Sequence, residues 1–284
     1  MPTVYLNGEF IPHERATVSV DDRGFIFGDG IYEGVRSVDG RIFEWQAHAE
    51  RMVDGLTGIR IDFSAERVAG LHGVCEHLLR DNDLMSGDAF VYLQVTRGVA
   101  PRVHGFPPAG TAPTVFASAT RLQRRRDQQR DGVKAVTHED LRWARCDWKV
   151  INLLGSVLAR QAAVDAGAFE AVLIRDGVVT EGASSTIFAV VDGVLRTHPL
   201  GPRILPSVTR KVVMALIDQL RLPVREEAVT VAELRHASEL FLCGTANNVT
   251  PLIALDGVAV GSGAPGPMTV ELREALDTRM YGPV

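Results

Sequence analysis

Polar and apolar positions alternate in two early runs, VYLNGEFIP and VRSVDGRIF, each broken by a glycine-containing turn. Asp39-Gly40 in the second is a strong hairpin signal, because a tight hairpin turn needs residues that tolerate positive φ. The period then changes. Trp45, Ala49, Met52, Val53 and Leu56 recur at helical spacing, and Val68, Leu71, Cys75, Leu78 and Leu79 mark a second helix. AFVYLQVTRG and PTVFASAT return to strand composition.

The arginine-rich run RLQRRRDQQR, Arg121 to Arg130, reads as a solvated connector. Beyond it VKAVTH predicts a strand, and a helix over roughly Leu153 to Ala166 is closed by Gly167. In EAVLIRDGVVTEGASSTIFAVVDGVLRTH, Asp176-Gly177 and Asp192-Gly193 punctuate β-rich runs, which predicts an antiparallel meander rather than βαβ units. Helices are expected from Val208 to Leu220, stopped before Pro223, and near Thr269 to Met280. The layout is α+β in two domains: a smaller α/β domain over residues 1–120, a connector over 121–126, and a larger β-rich domain over 127–284.

Composition changes this picture little but narrows the function. The 284 residues are 46% hydrophobic and 23% charged, enough apolar material for two cores. A net charge of −5 argues against a general binder of nucleic acid or anionic membrane. Cys75, Cys146 and Cys243 are odd in number and far apart, which suits a reducing compartment and predicts a cytoplasmic protein. No apolar run reaches membrane-span length, and MPTVYLNGEF lacks a basic segment followed by an apolar one. His72 and His77 in HGVCEH lie off a single helical face, so no metal site is expected there. FGDGIYEG misses the dinucleotide spacing by one position, and neither GxSxG nor a Walker sequence occurs.

Candidate chemistry begins with a scarce residue. Of 30 basic residues only Lys134, Lys149 and Lys211 are lysines, and Lys149 sits among apolar neighbours in WARCDWKVINLLG. Either it snorkels its head to water beside Trp148, or it is a desolvated, neutral amine able to form a Schiff base. A guanidinium could do only the first. Glu181, in VVTEGASS, stands where a strand breaks into a turn; spacing alone reads it as an exposed turn glutamate. Ser207, Val208 and Thr209 open an amphipathic helix whose first N–H groups suit a phosphate, though a plain helix cap reads equally from the residues. CGTANNVTP adds a second small-residue turn of the same kind. Arg102 and His104, in PRVHGFPP, fall two apart on an extended segment and face one side, an arrangement that fits a carboxylate or two ordinary loop residues.

Taken in order, DRGFIFGDGIYEGV, VTRGVAPRVHGFP, RWARCDWKVINLLG, VTEGASS and ILPSVTR resemble the fold-type IV enzymes that use pyridoxal 5'-phosphate, most closely the D-amino-acid transaminases. The likeness runs over nearly the whole chain. It implies the cofactor at the interface of the two domains, held by Lys149 through a Schiff base, with Glu181 at its pyridine nitrogen. It implies a phosphate site of Arg51, Val208, Thr209, Gly244 and Thr245, and Leu205 against one ring face. Tyr32 and Ser184 belong to the implied substrate site. Arg102 and His104 would grip the substrate carboxylate in the neighbouring subunit, which implies a homodimer.

The implied reaction moves the amino group of a D-amino acid to 2-oxoglutarate or pyruvate in ping-pong fashion. Two departures stand out. EGVR, with Gly34 and Arg36 in the substrate site, is similar to branched-chain aminotransferases, and a glycine at position 34 predicts a wider pocket. Ala183 stands where the D-amino-acid enzymes often carry serine. Alternatives of the same fold are a branched-chain L-amino-acid transaminase, an (R)-amine transaminase, and an aminodeoxychorismate lyase.

Overall fold

The computed structural model describes residues 1–282. It divides into two units, Met1–Gln123 with Trp148–Asn152, and Arg124–Asp147 with Leu153–Val284. The short segment carrying Lys149 therefore groups with the first unit, whereas the sequence reading gave it to the second domain.

In the first unit the order is β1 (Thr3–Leu6), β2 (Glu9–Pro12), α1 (Arg23–Phe27), β3 (Gly30–Val38), β4 (Arg41–Ile42), α2 (Trp45–Gly58), α3 (Ala65–Asp81), β5 (Asp88–Thr96) and β6 (Thr114–Arg121). The strands form one sheet in the order β2-β1-β6-β5-β3-β4. One face buries Ile31, Val35, Val91, Leu93, Val95 and Ala117 under Met52, Leu56, Leu71 and Leu78 of the two long helices. Each fully buried aliphatic chain of this kind contributes about 1.5–3 kcal/mol. Alternation puts Tyr32, Gly34, Phe90, Tyr92, Gln94 and Phe116 on the opposite face. Five of them are half-buried.

The second unit comprises α4 (Arg126–Asp131), β7 (Val133–Glu139), α5 (Leu154–Asp165), β8 (Glu170–Arg175), β9 (Val178–Gly182), β10 (Thr186–Val191), β11 (Val194–Thr197), α6 (Val208–Gln219), β12 (Val224–Glu226), α7 (Val231–Leu234), β13 (Glu239–Gly244), β14 (Asn248–Leu255), β15 (Val258–Ala259) and α8 (Pro267–Tyr281). Its sheet runs β12-β11-β10-β13-β14-β7-β8-β9, with β15 on β14. The strands close on a core of Val172, Ile187, Ala189, Leu240, Leu242 and Leu252.

The expected hairpins form. Asp39-Gly40, Asp176-Gly177 and Asp192-Gly193 all take positive φ, as do Asn7-Gly8 and Asp256-Gly257, and each links antiparallel strands. The single meander does not. β8–β9 and β10–β11 are separate hairpins in distant parts of the sheet order, and β7 pairs with β8 in parallel through α5. This βαβ unit begins upstream of the run expected to form a meander: Asp-Gly turns dictate each hairpin but not which strand a hairpin joins. Part of the expected connector is also helical, because Arg126–Asp131 forms α4.

Candidate functional site

Lys149 is positioned by backbone pairing along one end of β3. The N–H of Tyr32 donates to the Lys149 carbonyl at 3.0 Å, and the N–H of Ile151 donates to the Gly30 carbonyl at 3.1 Å. Gly28, the left-handed C-cap of α1, lies where a Cβ would meet Asn152 Cβ at 2.7 Å, so the lysine segment passes tightly against that turn. The side chain then lies over Tyr32, with Nζ 4.1 Å from the ring centroid. Tyr32 in turn stacks on Tyr92 at 5.7 Å, and the Tyr92 hydroxyl donates to Gln94 Oε1 at 2.7 Å. Burial pushes the Tyr92 phenol up to about 12, and Tyr32 adds to the shift.

Arg51, on α2, faces the core side of β3. Its Nε and Nη2 donate to the two oxygens of Glu33 at 2.8 and 2.7 Å, and His48 Nδ1 lies 2.8 Å from the second oxygen. Burial would raise the Glu33 carboxyl, but Arg51 and His48 outweigh it and hold it well below the usual range. Burial also keeps the His48 imidazole low, against the pull of Glu33; the charges of Arg51 and Lys149 push it the same way. Sequence reasoning missed both partners. The signal was His48 and Arg51 three apart on a helix, facing an acidic residue of a strand with buried neighbours.

The other first-unit candidates separate into two groups. Arg36 is buried and paired with Asp88. The space above Gly34 is filled, because an added Cβ would overlap the Phe90 ring. The missing side chain at Gly34 makes room for a phenylalanine of the neighbouring strand, a role that competes with the expected widening of a pocket. Arg102 and His104 are exposed and converge on Phe27, at 5.6 Å from the Arg102 guanidinium carbon and 5.5 Å between the two rings.

In the second unit Glu181 is the penultimate residue of β9 and is buried. One oxygen accepts from Arg142 Nη1, and the other accepts from the Leu205 N–H at 3.1 Å. Burial pushes its carboxyl up, and Arg142 and the Leu205 N–H only partly oppose this. Arg142 also grips Asp140 through Nε and Nη2, both at 2.8 Å. Leu205 thereby stands beside Glu181. Two residues on, Ser207 caps α6, its hydroxyl accepting from the Arg210 N–H at 3.2 Å.

Val208 and Thr209 follow, both buried, and among the described residues no acceptor takes up either N–H. Two orphan donors at the positive end of a twelve-residue helix favour an anion. α6 packs on β13, which ends at Gly244. A Cβ there would meet only the Ser184 carbonyl, at 3.7 Å, so Gly244 opens onto space beside the 183–185 turn. Ser184 is exposed, and its hydroxyl makes a long 3.5 Å contact to the buried Glu170. Thr245 follows Gly244 in the turn to β14. A separate open cavity of about 510 Å³ is lined by Arg145, Asp147, Leu200, Gly201, Pro202 and Pro206, none of them an expected site residue.

Among the described residues no cluster of His, Cys, Asp and Glu could hold a metal, and no helix is long and apolar enough to cross a membrane. The chemistry that pyridoxal 5'-phosphate needs is present in the two units taken separately: a primary amine in the first, and in the second a buried carboxyl and, among the described residues, helix N–H groups without an acceptor.

Known proteins agree with this chemistry. The amino-transferase class IV family profile matches residues 30–255. A D-alanine aminotransferase of Staphylococcus haemolyticus is 43% identical over 277 residues, covering 98% of this chain and 97% of that one. The branched-chain amino acid aminotransferase of Escherichia coli superposes with a TM-score of 0.92 at 28% identity, over 99% of this chain and 95% of that one. The branched-chain aminotransferase of the thermophilic archaeon Thermoproteus uzoniensis, solved with norvaline, gives a TM-score of 0.86 at 27% identity, over 99% and 95%.

Proposed function

The chain belongs to the class IV aminotransferases, enzymes dependent on pyridoxal 5'-phosphate, and from that premise we propose that it moves the amino group of a D-amino acid to a 2-oxo acid. The cofactor, when bound, supplies an aldehyde for the amino group and a conjugated ring that accepts electron density from the substrate α-carbon. The rest falls to side chains of this protein. Lys149 Nζ would hold the cofactor's aldehyde carbon and, as a free amine, would be the group that moves the proton at the substrate α-carbon. Glu181 would lie at the pyridine nitrogen, where the negative charge of its carboxylate would help keep a proton on that atom. The ionised carboxylate would in turn be favoured by the ring's positive charge over the protonated form that burial promotes. Val208, Thr209, Gly244 and Thr245 hold the phosphate through N–H groups, and Arg51 adds the compensating charge. Leu205 packs on one ring face and excludes water. Tyr32 and Ser184 line the substrate site.

The D-amino-acid assignment is supported most by Arg102 and His104, exposed and gathered on Phe27, a guanidinium and an imidazole placed to take a carboxylate. We propose that they serve the neighbouring copy in a homodimer. The buried, unpaired Cys75, Cys146 and Cys243 suit the cytoplasm. A branched-chain L-amino acid is the second reading, favoured by the fold likeness to branched-chain enzymes. Gly34 and Arg36 favour it less, since Phe90 and Asp88 give each of them a structural role.

Assaying D-alanine, L-leucine and (R)-1-phenylethylamine as donors to 2-oxoglutarate separates the readings. Turnover of D-alanine with little of the other two is expected. Turnover of L-leucine alone would reverse the assignment, and repeated release of pyruvate from aminodeoxychorismate without any acceptor would point to the lyase.

A further inference from the structure

Val103 is the residue between Arg102 and His104, and its carbonyl is held. Arg23, the first residue of α1, is buried and donates from Nη1 to the Val103 carbonyl at 2.7 Å. Its Nη2 lies 3.5 Å from the carbonyl of His104, and its Nε donates to Asp29 at 2.9 Å. Asp29 is fixed from the other side by Arg97, which donates from Nε and Nη2 at 2.7 and 2.9 Å. Arg97 is itself anchored on the carbonyls of Ile59 and Arg60 at 2.7 and 2.8 Å, and it lies 3.9 Å from the Phe106 ring centre. Burial would raise the Asp29 carboxyl, but Arg97 and Arg23 outweigh it and hold it low, so the cluster stays ionised. The Arg23 guanidinium also stacks on Phe27 at 4.7 Å, the same ring that Arg102 and His104 approach.

We propose that Arg23 and Phe27 are positioning residues for the carboxylate grip: Arg23 fixes the peptide between Arg102 and His104, and Phe27 is the platform that sets their side chains. The physical reason lies in the loop. Residues 97–113 contain no helix and no strand, and Arg102 and His104 are exposed on it, so without an anchor each binding event would bear the cost of ordering both side chains. A guanidinium held rigidly by Asp29 removes that cost in advance. This inference rests on the reading of Arg102 as a carboxylate ligand, and its test treats the two separately.

The test measures KM and kcat for D-alanine in wild type, Arg23→Gln, Phe27→Leu, Arg102→Ala and the double variant Arg23→Gln/Arg102→Ala, with hydrogen exchange followed over residues 99–106. Arg23→Gln is expected to raise KM roughly tenfold in the wild-type background and less than about twofold where Arg102 is already alanine. The effect should fall on KM more than on kcat, and exchange in the loop should speed up. Phe27→Leu, which leaves the buried ion cluster intact, should raise KM in the same direction and covers the case in which Arg23→Gln does not fold. Equal effects of Arg23→Gln in both backgrounds, or an unchanged KM in either positioning variant, would overturn the inference while leaving the role of Arg102 standing. If Arg102→Ala itself left KM unchanged, the carboxylate reading would fall and this inference with it.

Discussion

Each unit of the protein buries one arginine–glutamate pair, and the two titrate in opposite directions. Glu33 is held low and Glu181 is pushed high, although both carboxylates are almost wholly buried and both face an arginine. Burial acts alike on the two, so the difference lies in how the arginine is shared. Arg51 gives Glu33 two parallel bonds, one to each oxygen, with His48 adding a third contact. Arg142 gives Glu181 one nitrogen and directs its other two to Asp140, whose charge further disfavours ionisation of Glu181. A bidentate pair fixes a charge; a shared arginine leaves a carboxyl that can still hold a proton. The first arrangement holds Arg51 in one place, and the second leaves the Glu181 carboxyl able to respond to a charged group brought beside it.

The largest effect should come from breaking the fixed pair. Glu33→Gln leaves Arg51 as a buried charge without its carboxylate, and removal of one partner in such a pair costs about 3–5 kcal/mol. Urea unfolding should show the loss as a lower midpoint with an unchanged slope. The same pair sets an acid limit. Because the folded-state carboxyl of Glu33 lies below its ordinary value of 4.5, its stabilisation is complete above that pH and is lost as pH falls through the lower folded value. Glu33→Gln should flatten that part of the stability profile; a wild-type-like acid slope in the variant would show that the pair does not carry it.

Glu181→Gln should reverse the balance between stability and rate. The carboxyl already has a raised proton affinity, so an uncharged amide disturbs its surroundings less than at Glu33, by about 1–3 kcal/mol. The loss should instead appear in kcat, by about 10²–10³-fold, as expected for removal of a positioned electrostatic partner. A variant that unfolds readily but turns over normally would make Glu181 a structural residue and dissolve the contrast with Glu33.

What the sequence disclosed followed how local each determinant is. Asp39-Gly40 and its counterparts were legible because positive φ is a property of two adjacent residues. The alternation of β3 and the periodicity of α2 and α3 likewise need only neighbours. The parallel pairing of β7 with β8 was hidden, since strand order is decided by which surfaces meet after the turns have formed. α1, five residues long, is too short to display a helical period, and so Arg23 was not singled out. Lys149 was found through its scarcity and apolar setting, Glu181 only through resemblance. Glu33 and His48 were passed over because a glutamate in a strand and a histidine in a helix look ordinary until the two elements pack. Arg36 entered the substrate site through resemblance, and its pairing with Asp88, 52 residues away, could not be seen from its neighbours.

Gly34 offers the smallest and sharpest test of that lesson, since it lies beside Glu33 on the other face of the same strand. If the glycine widens a substrate pocket, alanine there should alter which donors are accepted and leave stability alone. If it makes room for Phe90, alanine should destabilise by about 1–3 kcal/mol, the range for overpacking. The atoms that would be met belong to the far edge of a half-buried ring able to tilt away, which places the cost toward the lower end. Gly34→Ala combined with Phe90→Leu then decides between the two. A shorter side chain at position 90 should return most of the lost stability, so the double variant should unfold at a higher urea concentration than the sum of the single effects allows. Strict additivity would mean that the ring and the glycine do not interact, and the substrate-pocket reading of Gly34 would regain its standing.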